Sequence, residues 1–337
     1  MPKRIGLMGC GTVAGYGHLP TIKASSDFDL VSIYDPDEKN LREKQQKFEV
    51  PNAFTDARAF FDSGIEAVII TSPAPCHLQN LIDAAHHSKH VLCEKPLAMT
   101  EADSQTMIDT AKEAGIMLFT GFDYRFSPSA QQIRQLVQEK AIGDVLSLRL
   151  IYIWNCHGKY EKGPDGSMIE QARRADRMHE GGPLVDCGVH QIDLARWWTG
   201  SEVVRWTAAG AWVDEYEAPD HIYLHMDHQN GAHSLVEISF SYCHTAAEPI
   251  NYFTYQLIGT EGIIRYELNE SLLEIRDTKG TRRLDFAPTK NFDGKYAAFA
   301  RALDSGGSDE LPSGEDGLAA TKLARASTEH LIAERAR

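Results

Sequence analysis

The sequence has no run of about 18 apolar residues, so it offers no candidate for a membrane-spanning helix. Basic residues are in the minority: 34 Lys and Arg stand against 48 Asp and Glu, a formal net charge of -14 at pH 7. Without a basic stripe, this balance argues against nucleic acid as a partner. The first residues enter a short strand and lack the long apolar segment of a secretory signal. We therefore expect no membrane partner and a cytoplasmic location.

Cysteines are few and scattered, with six in the chain and no Cys-x-x-Cys spacing. In a chain of 337 residues this pattern favours reduced thiols over a disulfide framework or a thiolate zinc site. The hydrophobic fraction of 42% and the charged fraction of 24% are those of a globular protein. The length suits two domains better than one.

In the first part of the chain, short apolar runs alternate with segments of helical spacing. The candidate strands are Arg4–Met8, Leu30–Tyr34, Ala67–Thr71, His90–Cys93 and Met117–Gly121. This alternation predicts an α/β domain with a parallel sheet wrapped by helices. It stops near Arg125, so we predict a Rossmann domain over residues 1–124 and a second domain over residues 125–337.

The second domain is rich in strands joined by short turns. The candidates are Val145–Trp154, Val203–Val213, His221–Asp227, His233–Phe240, Tyr252–Ile258, Ile263–Leu268 and Leu272–Ile275. Short links of this kind predict an α+β domain with a large, open, mainly antiparallel sheet. One helix is expected from Leu184 to Trp198, ending at Gly200. Two more are expected around Tyr296–Leu303 and Gly317–Ala333, the last a candidate to pack back on the first domain.

A glycine pattern follows the first candidate strand. Residues 9–14 read Gly-Cys-Gly-Thr-Val-Ala, which fits the dinucleotide-binding pattern G-x-G-x-x-G/A. Gly9 permits the tight turn, and Gly11 lets the backbone approach a pyrophosphate. The helix that follows presents amides and a positive dipole to the phosphates. We therefore predict that Gly9, Gly11, Thr12 and Val13 bind the cofactor.

Asp35 ends the second candidate strand, roughly 20 residues after the glycines, where an acidic side chain accepts hydrogen bonds from the adenosine ribose. The next residues, Pro36, Asp37 and Glu38, supply no arginine for a ribose 2′-phosphate. This favours NAD over NADP. The alternative is that Asp35 caps the following helix.

Two segments concentrate polar residues where an open sheet binds ligands. Lys95 directly follows the strand His90–Cys93, where an ammonium can hold a substrate hydroxyl. Asp186 and His190 are four residues apart, so on a helix they share one face. Neutral His190 can accept a hydroxyl proton, and Asp186 can stabilise the imidazolium. The alternatives are a solvated lysine and a helix-surface hydrogen bond.

No metal site is predicted. His179 or His157 would have to complete a ligand set with Asp186 and His190, and no H-E-x-x-H or comparable spacing supports it. The histidines at 221, 225, 228 and 233 fall on two strand-like runs with mixed parity, and we interpret them as surface or core residues.

Substrate specificity is expected to lie in the loop from Asn155 to Glu180. This loop contains four charged residues that are either substrate contacts or solvated charges: Arg173, Arg174, Asp176 and Arg177. Solvated charges are the favoured interpretation. Trp154, at a strand end, and Arg125, at the predicted domain boundary, complete the substrate-binding candidates.

Three blocks together resemble the glucose-fructose oxidoreductase and inositol dehydrogenase (Gfo/Idh/MocA) family. They are the glycine loop, residues 71–97 with Glu94-Lys95-Pro96, and residues 181–193 with Asp186 and His190. The resemblance implies that Lys95, Asp186 and His190 are catalytic. It also implies a set of residues that line the cofactor: Thr71, Ser72, Pro73, His77, Glu94 and Lys95.

Three positions depart from the family pattern: Ala74 for a common asparagine, Ser88 for a glycine, and Pro183 for a third glycine. None removes a catalytic group. The family fold implies an exposed sheet face that forms a homodimer or homotetramer, since a bare face would leave a large apolar patch in water.

The function expected from these observations is NAD(P)-dependent interconversion of a secondary alcohol and a ketone on a sugar, sugar derivative or cyclitol. Lys95, Asp186 and His190 would meet at the junction of the two domains. Two alternatives stay open: a lyase or hydrolase that recycles tightly bound NAD, and a sensor that binds NAD without turnover.

Overall fold

The computed structural model describes residues 1–154, 160–162, 165, 167–170, 172–241 and 251–337. The chain divides into two compact units, one of Met1–Phe126 with Lys290–Thr321 and one of Ser127–Thr289 with Lys322–Arg337. Within the described residues, no helix is both long and apolar enough to cross a membrane.

A six-stranded parallel sheet forms the centre of the first unit. Its strands are β1 (Lys3–Met8), β2 (Phe28–Tyr34), β3 (Asn52–Phe54), β4 (Ala67–Ile70), β5 (His90–Cys93) and β6 (Leu118–Thr120). The strand order is β3-β2-β1-β4-β5-β6, so the chain changes direction across the sheet between β1 and β4. Ligands bind at such a switch point, beyond the carboxyl ends of the strands. The predicted Rossmann sheet is confirmed.

Helices cover both faces of this sheet. They include α1 (Leu19–Ala24), α2 (Glu38–Phe48), α3 (Ala57–Phe61), α4 (His77–His86) and α5 (Glu101–Glu113). Neighbouring residues of β4 point into two separate cores, Ile69 into one and Val68 and Ile70 into the other. Burial on both sides explains why the strands are apolar throughout instead of alternating.

An eight-stranded sheet forms the centre of the second unit. Its strands are β7 (Val145–Ile153), β10 (Val203–Ala211), β11 (His221–His228), β12 (His233–Ser239), β13 (Tyr252–Gly259), β14 (Gly262–Glu267), β15 (Leu272–Asp277) and β16 (Gly280–Arg283). The order is β10-β11-β12-β7-β13-β14-β15-β16. Only the β12–β7 pair is parallel. This confirms the mainly antiparallel sheet. A separate hairpin pairs β8 (Tyr160–Lys162) with β9 (Met168–Glu170).

The helices of the second unit are α6 (Pro128–Gln138), α7 (Ala172–His179) and α8 (Val189–Thr199). The α8 helix packs against β7 and β12. Leu150 and Val236 pair across these two strands and are fully buried. The chain ends with α9 (Phe292–Ser305), in the first unit, and α10 (Gly314–Arg335).

The other face of the eight-stranded sheet is more polar than the sequence led us to expect. Arg149 lies 3.3 Å from Glu237, and Arg265 lies 3.1 Å from Glu274, alongside apolar side chains such as half-buried Ile151. The open face therefore combines ion pairs with exposed apolar side chains. Ion pairs between neighbouring strands occupy much of this face.

Three of the four histidines on β11 and β12 share this face. The rings of His225 and His233 face each other, with 3.2 Å between Nε2 of His225 and Nδ1 of His233. His221 and Tyr223 precede His225 on β11 at two-residue spacing, so their side chains lie on the same face. His228 has the opposite parity and is buried, with Nε2 2.9 Å from the Ser234 hydroxyl.

Candidate active site

The turn after β1 shows why two of its residues are glycines. Gly9 has φ +103°, and a Cβ there would lie 2.4 Å from the backbone nitrogen of Ser72. A side chain at this position would therefore collide with backbone. Gly11 differs, since no heavy atom of the described residues comes within 4 Å of its Cβ position. The protein itself requires Gly9, whereas Gly11 leaves the space that an approaching phosphate needs.

Asp35 links this turn to the end of β2. Its carboxylate accepts hydrogen bonds from the amide of Cys10 at 2.6 Å and from the amide of Asp37 at 2.8 Å. The cap of α2 is Asp37, which accepts from the amides of Lys39 and Asn40. The alternative that Asp35 caps this helix is therefore wrong. Binding of the ribose by Asp35 stays a prediction.

The turns after β4 and β5 are tied together by buried side chains. The Thr71 hydroxyl donates to the carbonyl of Gly9 at 2.6 Å. The ring of His77 spans two backbone segments, with Nε2 2.9 Å from the Ser72 carbonyl and Nδ1 3.0 Å from that of Pro96. Burial lowers the pKa of His77, although the carbonyls oppose this. The buried His77 ring therefore lies between the two turns, and as a neutral imidazole it donates to one of these carbonyls at a time.

All the predicted cofactor residues follow strands of the parallel sheet at its carboxyl edge. The glycine loop follows β1, Asp35 follows β2, and the turns before α4 and after β5 supply the others. In full they are Gly9, Gly11, Thr12, Val13, Asp35, Thr71, Ser72, Pro73, His77, Glu94 and Lys95. The geometry brings them to one edge, and direct contacts with a cofactor stay predictions.

The Glu94 carboxylate holds together three parts of the first unit. Its Oε1 lies 3.1 Å from Nζ of Lys295, on α9, and 3.0 Å from Nε2 of His18. Its Oε2 accepts from the backbone amide of Lys95 at 3.3 Å. Burial opposes ionisation of Glu94, but Lys295 and His18 outweigh it and hold the pKa of the carboxyl well below its usual range. Glu94 is therefore an ionised, largely buried carboxylate, with its side chain 11% exposed.

Sequence reasoning missed His18 and Lys295, which contact Glu94, and Tyr296, which contacts His18. Lys295 is 0% exposed and lies 201 residues from Glu94 in the chain. No local pattern reveals such a pairing, because only the packing of α9 brings the two together. A fully buried lysine becomes recognisable once the fold is known, since lysine is seldom fully buried without a partner.

Asp186 and His190 lie on one helical run in the second unit. A π-helical turn over Leu184–Gly188 leads into α8, which ends at Gly200 with φ +60°. This matches the predicted helix. Both side chains are buried, Asp186 at 8% and His190 at 3% exposure. Neither side chain is therefore solvent-exposed, and the catalytic role of both stays a prediction.

Arg177, one of the charged residues that the sequence placed in the specificity loop, adds a cation to this region. Its Nε lies 3.9 Å from Asp186 Oδ1, and its guanidinium also pairs with Glu180. Burial disfavours its charge, but the carboxylates of Asp186 and Glu180 outweigh burial and raise the pKa of Arg177. The arginine therefore compensates the charge of Asp186.

A second arginine of α7, Arg174, has different surroundings. Arg174 is 0% exposed, and its guanidinium lies 2.9 Å from Asp214 and 3.3 Å from Asp220. It also donates to the carbonyl of Phe240 at 2.7 Å. The interpretation of Arg174 as a solvated charge is wrong, because two carboxylates and a carbonyl hold it inside the second unit.

The two remaining substrate-binding candidates lie in well-packed surroundings. Arg125 is buried, with a guanidinium nitrogen 3.1 Å from Asp316. Trp154 stacks on Tyr152, with 5.5 Å between ring centroids, and meets Phe240 edge to face. Substrate contact by Arg125 and Trp154 stays a prediction.

Part of the expected specificity loop, including Cys156 and His157, lies outside the described residues, as does Cys243. The described cysteines at 10, 76, 93 and 187 form no disulfide bond with one another. Across the described ranges, no group of three His, Cys, Asp or Glu side chains could hold a metal ion.

Family profiles match both parts of the chain. The profile described as an oxidoreductase family with an NAD-binding Rossmann fold matches residues 3–122. The profile of the GFO/IDH/MocA C-terminal domain matches residues 130–265. The chain belongs to the Gfo/Idh/MocA family. It is a nicotinamide-dependent oxidoreductase with NAD as cofactor, and the resemblance drawn from the three sequence blocks is confirmed.

Named relatives of this Gfo/Idh/MocA protein include inositol dehydrogenases. It is 28% identical to a myo-inositol 2-dehydrogenase of Thermotoga maritima, over 98% of this chain and 97% of the relative. It is 26% identical to a scyllo-inositol 2-dehydrogenase (NAD(+)) of Bacillus subtilis, over 77% of this chain and 72% of the relative. A levoglucosan dehydrogenase, solved with NADH and levoglucosan, has the same fold, with a TM-score of 0.83 at 24% identity over 99% and 98% of the chains.

The residues of this Gfo/Idh/MocA chain fit NAD by their own geometry. Gly11 offers open space beside the glycine turn, and the Asp35 carboxylate lies at the end of the neighbouring strand. These positions suit the pyrophosphate and the adenosine ribose respectively.

Proposed function

We propose that the protein reversibly oxidises a secondary alcohol on a sugar, sugar derivative or cyclitol with NAD. The observation that carries the proposal is the placement of Lys95. It follows β5 at the same sheet edge as the glycine loop, and the buried Glu94 carboxylate accepts from its amide at 3.3 Å. The inositol and levoglucosan dehydrogenases among the relatives support a polyol substrate.

Three residues share the proposed chemistry. Lys95 binds the reacting oxygen through its ammonium and stabilises negative charge on it. His190 takes the hydroxyl proton in the direction of oxidation and returns it in the direction of reduction. Asp186 stabilises the imidazolium that forms on His190. Bound NAD supplies the hydride acceptor.

The preference for NAD over NADP is part of the proposal. Both oxygens of Asp35 accept backbone hydrogen bonds, at 2.6 Å and 2.8 Å, which fixes a carboxylate beside the glycine loop. A ribose hydroxyl can donate to this carboxylate, whereas a 2′-phosphate is repelled by it.

The experiment that tests this function measures NADH formation with a panel of free sugars, sugar acids, glycosides, nucleotide sugars and inositols. We expect NAD-linked turnover with at least one polyol class and weaker turnover with NADP. Consumption of a substrate without net NADH, by a protein that retains NAD through purification, would instead identify a lyase or hydrolase. NAD binding without any substrate turnover would identify a sensor.

We also propose that the open face of the eight-stranded sheet joins copies of this chain into a homodimer or homotetramer. Tyr223 is 42% and Ile258 is 39% exposed on that sheet. Light scattering should report an oligomer for the natural protein and a smaller species for Tyr223→Glu/Ile258→Glu. A monomer for both the natural protein and the variant would contradict the proposed oligomer. A cytoplasmic location stays a prediction from the cysteine pattern.

A further inference from the structure

We infer that Lys295 is a positioning residue that acts on Lys95 through the buried carboxylate of Glu94. The inference rests on the proposed function, because it assigns Lys95 a place in the reaction. It adds a residue of α9, far away in the chain, to the machinery that sets the position of Lys95.

Two contacts join three residues in one series. Lys295 Nζ lies 3.1 Å from Glu94 Oε1, and the other oxygen of the same carboxylate accepts from the Lys95 amide at 3.3 Å. The orientation of this carboxylate therefore decides where the Lys95 backbone is held. With Lys295 at 0% exposure, water does not replace its ammonium.

The surroundings of Glu94 leave little room for another arrangement. A Cβ on Gly121 would lie 2.8 Å from Glu94 Oε1, so the glycine makes space for the carboxylate. Lys295 Nζ also lies 4.6 Å from the ring centroid of Phe292, on the first turn of its own helix. An ammonium over an aromatic face is attracted to it. These contacts fix both members of the ion pair.

His18 completes the arrangement as a neutral ring. Burial and the nearby Lys295 ammonium lower the pKa of His18 to about 4. Its Nδ1 lies 2.7 Å from the Tyr296 hydroxyl, whose pKa burial raises well above its usual range. The phenol can therefore donate to Nδ1, which places the ring proton on Nε2, toward Glu94. Among the described residues, His18 and Lys295 are the side chains that contact Glu94 Oε1. Of these two, Lys295 is the one that carries a full positive charge.

The test compares the natural protein with Lys295→Met and with the double variant Lys295→Met/Glu94→Gln. Lys112→Met is the matched control, because Lys112 pairs with Glu315 at 2.9 Å on the surface of the same unit. The readouts are hydrogen exchange of the Lys95 amide, NADH affinity, and kcat and KM with the best substrate of the panel. Hydrogen exchange needs no substrate, so it tests the anchoring of Lys95 even if the proposed function fails.

In Lys295→Met we expect the Lys95 amide to exchange at least tenfold faster and kcat to fall at least tenfold, with NADH affinity and substrate KM within about threefold of the natural protein. In the double variant, which leaves no uncompensated charge, folding stability should return while kcat stays at least fivefold low, because a carboxamide is a weaker acceptor than a carboxylate. Lys112→Met should match the natural protein.

Two results would overturn the inference. The first is Lys295→Met with exchange and kcat within twofold of the natural protein. The second is a double variant that recovers full kcat together with its stability, which would reduce Lys295 to a structural role. If Lys295→Met fails to fold, the kcat of the double variant alone tests the inference. A kcat that stays at least fivefold low supports it, and recovery of full kcat overturns it.

Discussion

The carboxylate of Asp35 and the amide of Cys10 lie 2.6 Å apart, so the residue predicted to bind the ribose also orders the glycine loop. We expect Asp35→Ser to lower kcat/KM for NAD at least tenfold and to narrow the preference over NADP, because the charge that repels a 2′-phosphate is gone. Steady-state kinetics with both cofactors measure this ratio.

Asp37→Ala is the matched control for Asp35→Ser. Asp37 caps α2 through the amides of Lys39 and Asn40, so its loss should cost about 1 kcal/mol of stability without changing the NAD to NADP ratio. If the NAD to NADP ratio of kcat/KM is unchanged in Asp35→Ser, or changes equally in both variants, Asp35 does not select the cofactor.

Gly9 and Gly11 should respond differently to the same substitution. Gly9→Ala meets backbone 2.4 Å away at φ +103° and should lose roughly 2–4 kcal/mol of stability. Gly11→Ala meets no described atom within 4 Å, so its stability should stay within about 0.5 kcal/mol. Its added methyl instead occupies the space predicted for the pyrophosphate. Thermal unfolding and NADH titration together check both variants, and unchanged NADH affinity in Gly11→Ala would contradict this placement.

The buried ring of His18 makes the free energy of unfolding depend on pH. Folding lowers the pKa of His18 from 6.5 to about 4. Between these two pH values the unfolded state binds more protons than the folded state, so stability falls as the pH falls. Between pH 7 and pH 5 the loss should be about 2 kcal/mol. Chemical denaturation of His18→Gln, which cannot titrate, should show a pH dependence smaller by that amount. Equal pH dependence in both proteins would show that His18 titrates normally.

Breaking the Arg174 cluster should destabilise the second unit. Arg174→Met leaves Asp214 and Asp220 buried without their guanidinium, which should cost about 3–5 kcal/mol. Arg205→Met is the control, because Arg205 is 78% exposed in its pair with Asp227 and such pairs contribute less than about 1 kcal/mol. Equal unfolding midpoints for the two variants would contradict the assigned role of Arg174.

Much of the fold could be predicted because its strands are apolar and bounded by turns. β5 was predicted at its observed bounds, and the end of the helix from Leu184 was predicted from Gly200. The α2 helix was missed because it buries only Leu41 and so has almost no apolar periodicity. The three residues of β3 were too short to give a signal.

The candidate site could be predicted only where its residues lie in local motifs. Glu94 and Lys95 are neighbours in the chain, and Asp186 and His190 are four residues apart, so their patterns are visible in the sequence. Lys295 meets Glu94 across 201 residues, and no spacing rule encodes that contact. The expectation of solvated arginines failed at Arg174 for the same reason, since its carboxylate partners come from a different part of the chain.

The most direct test of the proposed reaction compares the natural protein with Lys95→Ala and His190→Ala. Turnover of the best polyol of the panel and NADH affinity are measured separately, with His330→Ala, half-exposed on α10, as the control. We predict that kcat falls roughly 10²–10⁴-fold in both variants, while NADH affinity changes less than about threefold in His190→Ala, because His190 acts on the proton of the alcohol. Turnover within threefold of the natural protein in either variant would contradict the role assigned to that residue.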